Sequence, residues 1–111
     1  SFLEFLQTLD QDQVPAEIGL SLQALWHDRK GDWQTAHEVA QSEDSKEAAW
    51  VHAYLHRKEG DVGNADYWYA RASRSRPDVS LEQEWEAMSS ELLGESINGG
   101  DYPYRDECDS V

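Results

Sequence analysis

Cysteine, proline and methionine are nearly missing from this chain of 111 residues: one Cys, three Pro and one Met. A lone Cys108 excludes a disulfide within this sequence and any cysteine-built metal cluster. Positive charge is scarce too. Nine Lys and Arg stand against 23 Asp and Glu, for a formal net charge of −14. That imbalance argues against nucleic acid and anionic membrane surfaces as partners. No apolar run approaches the roughly 18 residues of a membrane span. The apolar residues are interrupted too often for a signal-peptide core, so a cytoplasmic protein is expected. β-branched residues are few and no alternating run is sustained, which excludes a strand-built fold.

Motifs of group-transfer chemistry are lacking as well. There is no Gly-x-Ser-x-Gly elbow, no phosphate-binding loop and no dinucleotide fingerprint. Cys108 lies among carboxylates that disfavour its thiolate. The sequence therefore favours a binding protein over an enzyme, with no cofactor required. What it has in quantity is aromatic residues. Five Trp and five Tyr give the chain material for a packed core, against the disorder that its charge alone would suggest. The length is that of one domain.

The apolar spacing predicts an all-α fold of about six helices. The first covers Phe2 to Leu9. The second opens at Pro15, a residue suited to a first turn, and ends at Gly31. Asp32 caps a third through Trp33, Ala36 and Ala40. Asp44 and Glu47 have capping-box spacing for a fourth through Trp50, Val51, Tyr54 and Leu55, ending at Gly60. Asp61 caps a fifth. Ser80 and Gln83 form a second capping box for a sixth through Leu81, Trp85, Met88 and Leu92. Residues 1–93 form a single helical-repeat domain in this reading, and 94–111 an acidic, mobile tail.

A shift of 29 residues superposes Leu22–Asp32 on Val51–Asp61: Ala24 on Ala53, His27 on His56, Gly31 on Gly60, Asp32 on Asp61, and beyond them Ala36 on Ala65. Each unit reads as helix, Gly-Asp turn, helix. Glycine supplies the left-handed residue, aspartate caps the next helix, and alanines let two helices approach closely. A single such hairpin leaves an apolar face uncovered, so the units must stack.

From Gly60 the marks Ala65, Tyr69, Ala72 and Pro77, with Ala53 before them, resemble the tetratricopeptide repeat. The first unit keeps Ala24, Gly31 and Ala36 but has Ala40 in the aromatic position and no closing proline. The resemblance spans about residues 18–77 and implies a short stack of antiparallel helical hairpins, capped by residues 80–93. It also implies a protein-interaction role. The string His52–Asp61 followed by Asn64–Ala72 is similar to a group of small bacterial and fungal proteins, which implies a compact helical unit and adds no mechanism.

Two constellations bear on function. Residues 57–76 are a basic island in an acidic chain, with Arg71 on the same helix as Tyr67, Trp68 and Tyr69. The resemblance to tetratricopeptide stacks implies an inner groove lined by Arg29, Trp50, Tyr54, Arg57 and Lys58, a mixture of apolar anchors and cations. With Arg71 these residues are the expected binding surface for an acidic or carboxylate-bearing protein or peptide. The competing reading is internal pairing with Glu82, Glu84, Glu86 and Glu91. Self-association is a variant, because two units leave open apolar ends.

The other constellation is histidine. His52 and His56 share a helix face four residues apart, and His27 holds the position equivalent to His56 in the first unit. Together His27, His52 and His56 form a candidate divalent-metal site, with Glu59 or water as a further ligand. The four-residue spacing is common, and the glutamate of the zinc-protease helix is absent from between the two histidines. A hydrogen-bonded structural role is the commoner outcome for such residues.

Overall fold

A computed structural model describes residues 1–94, and the expected acidic tail lies outside the described residues from position 95 on. The described chain is all-α with six helices: α1 (Phe2–Thr8), α2 (Leu20–Arg29), α3 (Trp33–Gln41), α4 (Lys46–Glu59), α5 (Val62–Arg71) and α6 (Leu81–Leu92). No helix among the described residues is long and apolar enough to cross a membrane.

The repeat is written most plainly in its turns. Gly31 and Gly60 both adopt left-handed backbone, with φ of 89° and 90°. After each comes an aspartate whose backbone N–H donates over 2.9 Å to the carbonyl five residues back, His27 in one unit and His56 in the other. The side chain of Asp32 accepts from the Thr35 N–H, and that of Asp61 from the Asn64 N–H. An L-residue at either glycine would be held at a φ that side chains resist, so the turn chemistry fixes both positions.

These turns pack α2 on α3 and α4 on α5, and the two pairs meet where α3 lies on α4. Ala24, Ala53, Ala36 and Ala65 are fully buried at those contacts, so the small residues repeated in sequence set the closeness of the helices. α6 closes the core against α2 and α4. Its Trp85 is fully buried, stacks on Phe5 at 5.9 Å and donates its indole N–H to the Leu25 carbonyl over 3.1 Å.

Two helix starts differ from the sequence expectation. Helix α2 begins at Leu20, not at Pro15, with Gly19 as an extended N-cap at ψ 163°. Pro15 is buried outside any helix, and the Gln23 side-chain amide donates back to the Ile18 carbonyl. A glycine four residues after the proline interrupts the helix that the proline would have opened. Helix α4 is capped by Ser45, whose hydroxyl accepts from the Ala48 N–H, and not by Asp44, which is fully exposed. Ser45 wins because it alone reaches the third amide of the new helix in extended backbone.

Candidate functional site

Helix α4 divides the interior. On one side it turns Trp50, Tyr54, Arg57 and Lys58 toward α2 and α6. Glu84 of α6, only 2% exposed, receives the Trp50 indole N–H at 3.2 Å, the Arg57 guanidinium at 2.7 Å and the Tyr69 hydroxyl at 2.9 and 2.7 Å. Arg57 also donates to the Val79 carbonyl. Asp28 of α2 receives the Tyr54 hydroxyl at 2.9 Å and the Lys58 ammonium at 2.8 Å. Burial, with the neighbouring carboxylates, pushes both tyrosine hydroxyls far above their ordinary pKa, so they remain donors.

The structure thus disperses the expected groove. Trp50 and Tyr54 are buried, Arg57 and Lys58 are tied to Glu84 and Asp28, and Arg29 pairs with Glu82 at 3.0 Å while lying 3.7 Å over the Trp85 ring. The apolar anchors and Arg57 face inward, and the carboxylates that pair with the cations come from both α2 and α6. Of the six residues named for partner binding, Arg71 alone stays on a different face, beside Tyr67 and Trp68 of α5.

The other side of α4 carries His52 and His56, 4% and 8% exposed. Their rings stack at 4.9 Å. The third histidine here is His37 of α3, half-buried, with centroids 4.6 Å from His52 and 5.1 Å from His56. One ring nitrogen from each of the three lies within 4.8 Å of the other two. Trp68 stacks on His52 at 3.9 Å and Trp33 on His37 at 4.9 Å, so indoles flank the group on both sides. The Trp33 indole N–H is itself fixed by the Leu55 carbonyl at 2.9 Å.

His27 is not part of this cluster. It packs edge-on against Trp26 at 5.2 Å and lines a hollow with Asp12, Val14 and Lys30. The reason lies in the stacking. Helices α2 and α4 meet through Asp28, Tyr54 and Lys58, not through the faces that carry His27 and His56. The face of α4 that bears His56 meets α3, whereas the matching face of α2 meets the segment after α1. There the Lys30 ammonium binds the carbonyls of Leu9 and Gln11 at 2.7 and 2.9 Å. The sequence gives His37 no place in the candidate site, since the equivalent position of the second unit is Asp66. The available signal was the stack itself: the second helix of one unit must meet the first helix of the next.

The electrostatics disfavour the charged forms of His52 and His37. Burial, and then the charges of His37 and His56, pushes His52 down to about 4. Burial and the His56 charge also lower His37. His56 Nδ1 lies 3.1 Å from Glu59 Oε1, and its Nε2 lies 3.5 Å from the Asn64 side-chain nitrogen. Both contacts agree on one tautomer, with Nδ1–H donating to the carboxylate and Nε2 offering its lone pair. A carboxylate behind an imidazole in this manner orients it and raises its basicity toward a metal. Glu59 and Asp61 also come within 4.8 Å of His56 as further oxygen donors.

Comparison with known proteins gives no match to any family model, to any curated protein or to any solved structure. The site is therefore read from its own chemistry.

Proposed function

We propose that this protein binds a divalent transition metal through His37, His52 and His56. The observation that carries the reading is the convergence of three imidazoles from two helices, with ring nitrogens within 4.8 Å of one another and two of the rings buried. Burying three weakly basic groups against each other without closing hydrogen bonds among them is a poor way to stabilise a core. Holding an ion is a good reason for it. Neutral imidazole is a borderline ligand that suits zinc, copper and nickel over magnesium or calcium.

A tetrahedral ion with metal–nitrogen distances near 2.0–2.1 Å needs nitrogens about 3.4 Å apart. The rings reach that spacing by drawing inward through small side-chain rotations. Three ligands leave a position open, as ligand-accepting metal sites do and closed structural sites do not. The adaptor reading stands second, because Arg29, Arg57 and Lys58 are held by carboxylates of this chain.

The test is the metal content of untagged protein purified without chelator, followed by calorimetric titration of the stripped protein with zinc, copper and nickel. Near-stoichiometric binding of one of them, lost in His52→Ala and His37→Ala, is expected. Folded protein that binds none of the three overturns the reading.

A further inference from the structure

A cavity of about 400 Å³ lies beside the histidine cluster, between the α3–α4 connection and α5. That volume falls within the range of small-molecule pockets. Ala40 and Ala49 give it an apolar floor, His52 and Trp68 give it one aromatic wall, and Lys46 and Arg71 supply its cations. His52 belongs both to this wall and to the histidine cluster, so the cavity and the cluster share one imidazole.

Charge distribution singles the cavity out. The chain has a net charge of −14, and among the described residues the other cations are taken up by close partners. Arg29, Arg57, Lys58, Arg74 and Arg76 each meet a carboxylate within 3.1 Å, and Lys30 binds two carbonyls. Lys46 is different: it makes no hydrogen bond or ion pair among the described residues. Arg71 donates to the Tyr67 hydroxyl at 3.2 Å, and its nearest carboxylate, the fully exposed Asp44, stands 3.9 Å away. The remaining acid of the lining, Glu43, accepts the Ser45 hydroxyl at 2.6 Å. Among the described residues, the two loosely held cations thus both line this hollow.

The histidine site supplies the complementary need. Imidazole ligands carry no negative charge, so the ion's charge is offset here only through the carboxylates near His56. The nearest carboxylate, Glu59, is occupied on His56 Nδ1. An uncompensated charge beside buried apolar groups is costly, so the open coordination position favours an anionic ligand.

We propose that the cavity binds a small carboxylate, which coordinates the ion at its open position while Lys46 and Arg71 hold the carboxylate's oxygens. This rests on the metal reading above and names the ligand class of that site. Arginine presents a planar fork matched to a carboxylate, and the ammonium adds a second charge-assisted bond.

The experiment uses the full chain loaded with cobalt(II), whose visible absorption reports its coordination shell. Acetate and benzoate are titrated in turn, with sodium perchlorate at equal ionic strength as the blank. Both carboxylates are expected to change the cobalt spectrum saturably, and perchlorate is not. Lys46→Gln/Arg71→Gln, two exposed positions, should weaken the carboxylate titration by about tenfold or more while leaving cobalt affinity within about twofold, the loss expected for charge-assisted hydrogen bonds. A chain that acquires no His52-dependent cobalt spectrum overturns the metal reading and this one with it. Cobalt that binds through His52 but ignores both carboxylates overturns this inference alone. Carboxylate titrations unchanged in the double variant overturn the role given to the cavity.

Discussion

The two faces of α4 bury polar groups in opposite ways. Toward α2 and α6, each buried carboxylate meets several donors: Glu84 takes Trp50, Arg57 and Tyr69, and Asp28 takes Tyr54 and Lys58. Toward α3 and α5, imidazoles meet imidazoles and indoles, and their hydrogen bonds are few and long. A satisfied network leaves nothing for a ligand and acts on the fold. A cluster with no hydrogen bond between its imidazoles has its chemistry still to complete. The same helix therefore carries structure on one face and a candidate site on the other.

Removing Glu84 should produce the largest effect. Glu84→Ala would strand the Arg57 guanidinium, the Tyr69 hydroxyl and the Trp50 N–H in the interior, at a cost of about 3–5 kcal/mol. Denaturant unfolding of the variant, or its failure to accumulate as folded protein, is the readout. A loss below about 1 kcal/mol would abolish the contrast between the two faces. Asp28→Ala acts in the same direction, because it frees Tyr54 and Lys58.

The histidine face should answer differently. His52→Ala is expected to destabilise the metal-free chain by about 1–2 kcal/mol, the ordinary cost of a core truncation. Its larger consequence appears with the ion present. An ion at a hundredfold excess over its dissociation constant stabilises the native chain by about 2.7 kcal/mol, and the variant should lose that increment entirely. Thermal unfolding with and without zinc separates the two contributions.

Acidity sharpens the contrast in the metal-free chain. The unfolded chain protonates His52 near the ordinary value of 6.5, whereas burial, and then repulsion from His37 and His56, makes the folded chain resist protonation down to about 4. The unfolded state therefore binds more protons between those values. Stability contributed by neutral His52 is complete above pH 6.5 and is lost progressively as pH falls toward 4. The full shift corresponds to roughly 3 kcal/mol. His52→Gln should flatten this part of the stability profile, measured by urea unfolding from pH 7 to pH 4.5. A profile of unchanged slope would show that His52 is not held neutral by its surroundings.

Sequence carried the local features of this fold well. The Gly31-Asp32 and Gly60-Asp61 turns, the Ser80–Gln83 capping box and the buried alanines are determined within a few residues of chain, and each lies where its pattern implied. Long-range pairing was harder to read. Arg57 reads as a surface cation because its neighbours in the basic island are surface cations. The carboxylate that buries Arg57 comes from a helix 27 residues away. The histidine cluster was half legible: His52 and His56 follow from helical spacing, while His37 requires knowing that α3 faces α4. Repeat symmetry misled on His27, because equivalent positions translate along the stack and do not converge.

The smallest expected effect is the control that this symmetry demands. His27 and His56 play the same backbone role, each lending its carbonyl to the aspartate of the turn. If the turn alone mattered, replacing either side chain would be neutral. His27→Ala removes an imidazole that touches Trp26 at the edge of the fold, so stability should change by no more than about 0.5 kcal/mol and metal affinity should hold. His56→Ala removes the imidazole oriented by Glu59, and a loss in metal affinity of about 10–100-fold or more is expected, at least that of losing an outer-shell partner. Calorimetric titration of the two variants side by side decides the matter. Equal loss in both would place His27 at the ion after all, and equal retention would remove His56 from it.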